Sequence, residues 1–187
     1  MRIISGKFKG KKIFQPQDKT TRPLKDLTKE SIFNLLEHSN QINVDIENAN
    51  ILDLFSGVGS FGLECLSRGS KFVIFYENYP KTIINLKKNI EILGLENFSK
   101  IFKKDVFNEN SLKDLNCQFD IIFLDPPYKE KNIEFILNKI IDLNLLKSNG
   151  VLIIHRHKND INTFINKFKI QIEKKYGISK VIFLIKS

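Results

Sequence analysis

The chain has no tryptophan, one methionine, two cysteines and five prolines in 187 residues. Nor does it hold an apolar run near the ~20 residues that span a bilayer; stretches such as 121–124 and 181–185 are far shorter. The opening Met1-Arg2-Ile3-Ile4 lacks the apolar core of a signal peptide. A cytoplasmic protein with no membrane partner is therefore expected. Cys65 and Cys117 lie far apart without CxxC spacing, which argues against a disulfide or a zinc site and makes both expected small core residues. There is no internal repeat, and the abundance of Ile, Asn, Lys and Phe is global rather than confined to a low-complexity segment. A chain of this length, 42% apolar, suits one well-packed domain.

Acidic residues are also in deficit, leaving a formal charge of +9. The excess is uneven. Residues 1–30 carry Arg2, Lys7, Lys9, Lys11, Lys12, Lys19, Arg22, Lys25 and Lys29 against Asp18, Asp26 and Glu30, an excess of six. Such clustering points to a polyanionic partner, a nucleic acid, for this segment. Residues 2–5 and 11–14, set beside Gly6 and Gly10, read as a twisted basic hairpin. Phe8 is placed to anchor it. A polar connector over 15–23 leads to a helix over 26–38, whose docking face is read as Leu27, Thr28, Ser31, Ile32, Leu35 and Leu36. Phe33 falls off that face, towards the hairpin. Residues 39–50 read as a surface loop.

From Asn50 onward, strand-like and helix-like segments alternate: 51–55, 60–68, 72–76, 81–93, 99–103, 119–124, 132–143 and 151–155. This β/α alternation with nearly continuous apolar strands predicts an α/β fold, a mainly parallel sheet covered on both faces. A final hairpin, 170–176 and 181–186 joined through Gly177, would close it with an antiparallel strand. The division expected is 1–40 as a basic hairpin and helix and 41–187 as the catalytic domain.

Two motifs carry chemistry. Gly57, Gly59 and Gly62 spell G-x-G-x-x-G directly after the first core strand and at the start of a helix, where glycines permit a tight turn and close backbone approach by a cofactor. Glu77 ends the next strand about 20 residues on, the place where a carboxylate accepts ribose hydroxyls. A nicotinamide-dependent oxidoreductase satisfies this much. Asp125-Pro126-Pro127-Tyr128 follows the apolar run 121–124, at the carboxyl end of a buried strand where open sheets bind ligands. The prolines make a rigid loop of carbonyl acceptors. Asp125 and a proline carbonyl can accept the hydrogens of an exocyclic amine while Tyr128 stacks on the base. That arrangement serves methyl transfer to a poorly nucleophilic amine and has no evident use in hydride transfer.

With these residues the chain resembles class I S-adenosylmethionine-dependent methyltransferases of the N-methylating D-P-P-Y type. More narrowly it resembles the bacterial 16S ribosomal RNA (guanine(966)-N(2))-methyltransferase family, the small-subunit methyltransferase D type. The likeness runs through Arg2-Ile3-Ile4-Ser5-Gly6-Lys7-Phe8-Lys9-Gly10, Thr21-Arg22-Pro23, Phe33-Asn34, residues 53–64, Leu66-Ser67-Arg68-Gly69, Glu77, Asp105, residues 123–128 and Tyr176-Gly177. The N-terminal segment with T-R-P is the most specific part. The resemblance implies a Rossmann-like, seven-stranded methyltransferase with S-adenosylmethionine as cofactor. Gly57 and Gly59, with Phe55, would cradle its methionine part; Asp53 would lie near its ammonium, Glu77 would hold the ribose and Asp105 the adenine amino group. Asp125, Pro126, Pro127 and Tyr128 would be catalytic, and Arg2, Lys7, Lys9, Lys11, Lys12 and Arg22 would meet RNA. The implied substrate is the N2 amine of a guanine in 16S ribosomal RNA, within the small subunit or an assembly intermediate, with the enzyme a monomer. An adenine-N6 methyltransferase on RNA or DNA, or a non-catalytic ribosomal RNA-binding assembly factor, are the alternatives. Departures are Leu24, Lys25 and Leu27 where the family has threonines and an arginine, and His155-Arg156-His157 where it has an acidic residue. With no acid or cysteine nearby in sequence, His155 and His157 are expected to face the surface or RNA, and no metal site is expected.

Overall fold

The computed structural model describes residues 1–15, 24–160 and 167–187. The Thr21-Arg22-Pro23 motif, with the expected RNA contact Arg22, lies outside the described residues, as does Lys19. A helix α1 (Asp26–His38) precedes a sheet of β1 (Asn50–Leu54), β2 (Phe72–Tyr76), β3 (Ser99–Phe102), β4 (Phe119–Leu124), β5 (Leu146–His157), β6 (Phe168–Tyr176) and β7 (Ser179–Lys186). The spatial order is β3-β2-β1-β4-β5-β7-β6. β3, β2, β1, β4 and β5 run parallel, and β7 lies antiparallel between β5 and β6. Helices α2 (Ser60–Ser67), α3 (Pro80–Leu93) and α4 (Ile133–Asp142) complete the three layers.

Alternate residues of each parallel strand feed two cores, which is why these strands read as unbroken apolar runs. Ile51, Val73, Ile121 and Ile153 pack with residues of α1, α2 and α3, whereas Leu52, Ile74, Ile122 and Ile154 pack with α4. Within the first core Phe61 lies between Phe33 and Phe123, with ring centroids 5.2 and 4.1 Å away. Such pairs contribute about 0.5–1.5 kcal/mol beyond area burial. Strand order reverses between β1 and β4, opening the crevice in which sheets of this kind bind ligands.

The N-terminal segment forms the expected hairpin, in a short and irregular version. An antiparallel bridge, Arg2 to Lys12, joins its two arms, with Ile3 N–H donating to the Lys11 carbonyl at 2.9 Å and Ile13 N–H to the Met1 carbonyl at 3.2 Å. Other donors of the segment are taken by α2. Ile4 and Ser5 N–H groups donate to the Glu64 carboxylate at 2.7 and 2.9 Å. Lys7 N–H donates to the Ser67 carbonyl, and Phe8 N–H to its hydroxyl. Gly6 sits so close to α2 that a Cβ would lie 1.9 Å from the Ser67 carbonyl oxygen, with φ +77° besides, so no other residue fits. On α1 the buried positions are Thr28, Lys29, Ile32, Phe33 and Leu36, one step round from the expected face. Leu27 is 80% exposed, and Phe33 stacks on Phe61 in the core cluster that also holds Ile3 and Ile13 of the N-terminal arms. The face rotates because Lys29 is fully buried, paired with Glu64 at 3.2 Å and donating to the Arg2 carbonyl at 2.7 Å. Cys65 is in the core as expected, but Cys117 is exposed, on the turn leading into β4. Among the described residues, no helix is long and apolar enough to cross a membrane.

Candidate active site

The loop from β1 into α2 is held in an uncommon backbone shape: Phe55, Gly57 and Gly59 have φ of +62°, +56° and +84°. Phe55, a bulky residue in the left-handed region, carries strain of the kind found at ligand clamps. A side chain at Gly57 would project into open space, so glycine there leaves room for a ligand against the backbone. Gly59 has a different reason. A Cβ on it would meet Leu86 Cδ1 of α3 at 2.5 Å, so this glycine lets α2 and α3 close together.

Glu77, beyond the end of β2, pins this loop. Its Oε2 accepts from Gly57 N–H at 2.7 Å, and its Oε1 accepts from Asn78 and Tyr79 N–H groups. Asp53, at the end of β1, is almost wholly buried. Its Oδ2 accepts from Gly62 N–H at 3.0 Å, while Oδ1 has no hydrogen-bond partner among the described residues. Burial pushes the Asp53 carboxyl well above its ordinary pKa, the Gly62 bond opposes this, and the charges of Asp125 and Glu77 push it further up. Three carboxyl groups thus converge in a protein whose overall charge is strongly positive. Asp53, Glu77 and Asp125 all line one cleft of about 710 Å³, within the usual size range of small-ligand sites.

The cleft's far side is the loop after β4. Pro126 is buried, Pro127 is exposed, and Asp125 and Tyr128 are half-buried and line the cavity. The Tyr128 ring meets the His157 ring edge-on, with centroids 5.3 Å apart. Here the expectation for His155 fails. It is 3% exposed, and its Nδ1 lies 2.8 Å from Asp125 Oδ1. The pairing of β4 with β5 sets Leu124 beside Ile154, which brings the next residues of each strand, Asp125 and His155, alongside. Arg156 holds the same loop further on, donating to the Glu130 carbonyl at 2.5 Å and the Pro127 carbonyl at 3.5 Å.

Asp105 is not brought to this cleft's lining. It is exposed on the loop after β3, and its Oδ1 accepts from Phe107 N–H at 2.9 Å. Arg2, Lys7, Lys9, Lys11 and Lys12 are all exposed on the N-terminal segment, and Arg2 lies 3.9 Å from Asp26. The same segment contributes Met1, Gln15 and Leu24 to the cleft wall. No sequence motif marked these three. Asn89 of α3 fixes the chain next to Gln15: its amide accepts from Phe14 N–H and donates to the carbonyls of Phe14 and Val58. Of the departures, Leu24 is buried and Lys25 exposed. Among the described residues, no group of three or more His, Cys, Asp or Glu side chains is placed to hold a metal ion.

An acidic cleft with an open backbone cradle and one unsatisfied buried carboxylate oxygen fits S-adenosylmethionine, whose ammonium and sulfonium are both cations. Residues 1–185 match the family described as "Conserved hypothetical protein 95". The chain is 34% identical over 165 residues to "Ribosomal RNA small subunit methyltransferase D" of Haemophilus influenzae, covering 85% of this chain and 80% of that protein. Among solved structures, the yhhF protein of Escherichia coli is similar at a TM-score of 0.82 and 24% identity, over 100% of this chain and 98% of that one. SMU.776, solved in complex with SAH, is similar at a TM-score of 0.61 and 16% identity, over 81% and 48% of the two chains. These structures show the fold of class I methyltransferases, and the chain belongs to the Conserved hypothetical protein 95 family, that of the small-subunit methyltransferase D relatives.

Proposed function

We propose that the protein is a ribosomal RNA methyltransferase that moves a methyl group from S-adenosylmethionine to the exocyclic N2 of a guanine in 16S ribosomal RNA. The observation that carries this reading is the convergence of Asp53, Glu77 and the Asp125-Pro126-Pro127-Tyr128 loop on one cleft. Asp53 Oδ1 meets the ammonium of the cofactor, Phe55 and Gly57 approach its methionine part, and Glu77 accepts from the ribose. Gly59 serves by closing α2 onto α3. The adenine contact of Asp105 is supported by the family likeness alone, since Asp105 stands outside the cleft lining and its Oδ1 holds its own loop. The cofactor supplies an electrophilic methyl on a sulfonium.

Everything else is positioning by the chain. A guanine amine is a weak nucleophile because its lone pair is delocalised into the ring. Asp125 and the Pro126 carbonyl accept its two hydrogens, which favours a pyramidal nitrogen with its lone pair directed at the methyl group. Tyr128 stacks on the base. The methylated amine then sheds one proton, first to Asp125 and from there to solvent. Residues 1–40 act as the RNA-binding part, with Arg2, Lys7, Lys9, Lys11, Lys12 and Arg22 meeting phosphates, and 41–187 as the catalytic part. The target lies in the small subunit or an assembly intermediate. The choice of guanine is supported by the N-terminal likeness to the family, since the loop alone grips adenine equally well.

The test uses the native protein and Asp125→Ala with methyl-labelled S-adenosylmethionine and small-subunit ribosomal RNA, digested to nucleosides and read by mass spectrometry. Native protein yields N2-methylguanosine, and the variant falls by about 100-fold or more with cofactor binding retained. Methyladenosine would overturn the base assignment, and equal product from the variant would overturn the role of the loop.

A further inference from the structure

The β4–β5 pairing sets a second residue against the reacting group. His155 is buried, sits on the strand next to the Asp125 loop, and has Nδ1 at hydrogen-bond distance, 2.8 Å, from Asp125 Oδ1. Its registered neighbour on β7 is Val181, also buried. The Tyr128 ring lies edge-on to it, at 6.1 Å between centroids. Arg156 leaves the opposite face of the same strand and fastens the Pro127 and Glu130 carbonyls. Two successive residues of β5 therefore hold the catalytic loop at its acid and beyond its second proline.

An aspartate carboxylate has two equivalent oxygens and a soft terminal torsion. An acceptor for an amine must present one oxygen in one direction, and an error near 1 Å in such a group lowers rates by about 100-fold. A histidine carrying its proton on Nδ1 donates to one oxygen and so selects which one is left.

We propose that His155 is a positioning residue for methyl transfer: its Nδ1–H holds Asp125 Oδ1, so that Oδ2 is the oxygen offered to the target amine. This rests on the methyl-transfer reading above. It gives the imidazole a defined tautomer, the proton on Nδ1, and a defined consequence, an effect on turnover rather than on cofactor binding.

Two measurements test it. The first is steady-state kinetics of His155→Ala and His155→Asn, with S-adenosylmethionine affinity by calorimetry. His155→Ala should lower kcat by about tenfold or more while leaving the KM for S-adenosylmethionine within about twofold, the mark of a group acting in the transition state. His155→Asn places an amide N–H close to where Nδ1 stood and should recover most of that loss. Native kcat in His155→Ala, or no recovery in a folded His155→Asn, would overturn the proposal. The second needs no activity: nitrogen NMR of histidine-labelled protein should show His155 protonated on Nδ1 in the native protein and shifted from that state in Asp125→Ala. A His155 found protonated on Nε2 alone would overturn the proposal even if methyl transfer is confirmed. Absence of methyl transfer to any ribosomal RNA by native protein would instead refute the function, with the tautomer still deciding the contact.

Discussion

Two buried acids, Glu64 within α2 and Asp53 on β1 beneath the start of α2, are treated in opposite ways. Glu64 is fully buried and fully engaged: it accepts from Ile4 and Ser5 N–H groups, from Arg68 Nε at 3.0 Å, and pairs with Lys29. Arg68 continues the network to Glu37 and lies over the Phe33 ring, 4.4 Å from its centroid. Asp53, by contrast, has one oxygen satisfied by Gly62 and the other unpartnered among the described residues. Both groups are costly to bury. Satisfied acids such as Glu64 hold structure together, whereas an acid left open beside a cavity marks where a ligand completes the set.

That contrast gives a graded set of expectations. The largest concerns the closed network. Glu64→Ala strands the Lys29 ammonium and two backbone donors in the core, and should lower stability by about 3–5 kcal/mol in chemical denaturation. Glu64→Gln, which keeps an acceptor, should lose less. If Glu64→Ala instead left stability unchanged and abolished cofactor binding, the two acids would have to exchange roles.

Glu77 stands between the two cases, since its carboxylate both braces the Gly57 loop and lines the cleft. Glu77→Ala should weaken S-adenosylmethionine binding by about 1.5–3 kcal/mol, the usual worth of charged hydrogen bonds. Calorimetry is the suitable readout because the chain has no tryptophan. An unchanged affinity would leave Glu77 as a loop brace alone.

The same contrast explains what could be read from the chain in advance. β2 and β4 were legible to the residue, because strands covered on both faces become continuous apolar runs. The Gly57–Gly62 turn and the Asp125–Tyr128 loop were legible because each follows such a run directly. Lys29 was not, since a buried cation on a helix face reads as solvent-exposed until its partner, 35 positions away on α2, is known. His155 was hidden for a related reason: its acid lies 30 residues earlier, and only the register of β4 on β5 brings the two together. The N-terminal arms carried a true hairpin signal and do pair; hidden from the sequence was that Ile4 and Ser5 donate to Glu64 of α2.

Asp53 is the acid left open in the cleft, and Asp53→Asn tests its role with the smallest effect on stability and the clearest sign. As pH rises past the ordinary carboxylate value of 3.8, the unfolded chain gives up this proton while the buried group keeps it. Native stability must then fall with rising pH until the folded carboxyl also ionises. The asparagine variant lacks that slope. Thermal unfolding at pH 7, with and without S-adenosylmethionine, should therefore show Asp53→Asn about 2–4 °C more stable than native when free, yet about tenfold or more weaker in binding the cofactor. A variant that loses free-state stability while binding S-adenosylmethionine as tightly as native would contradict the assignment of this cleft.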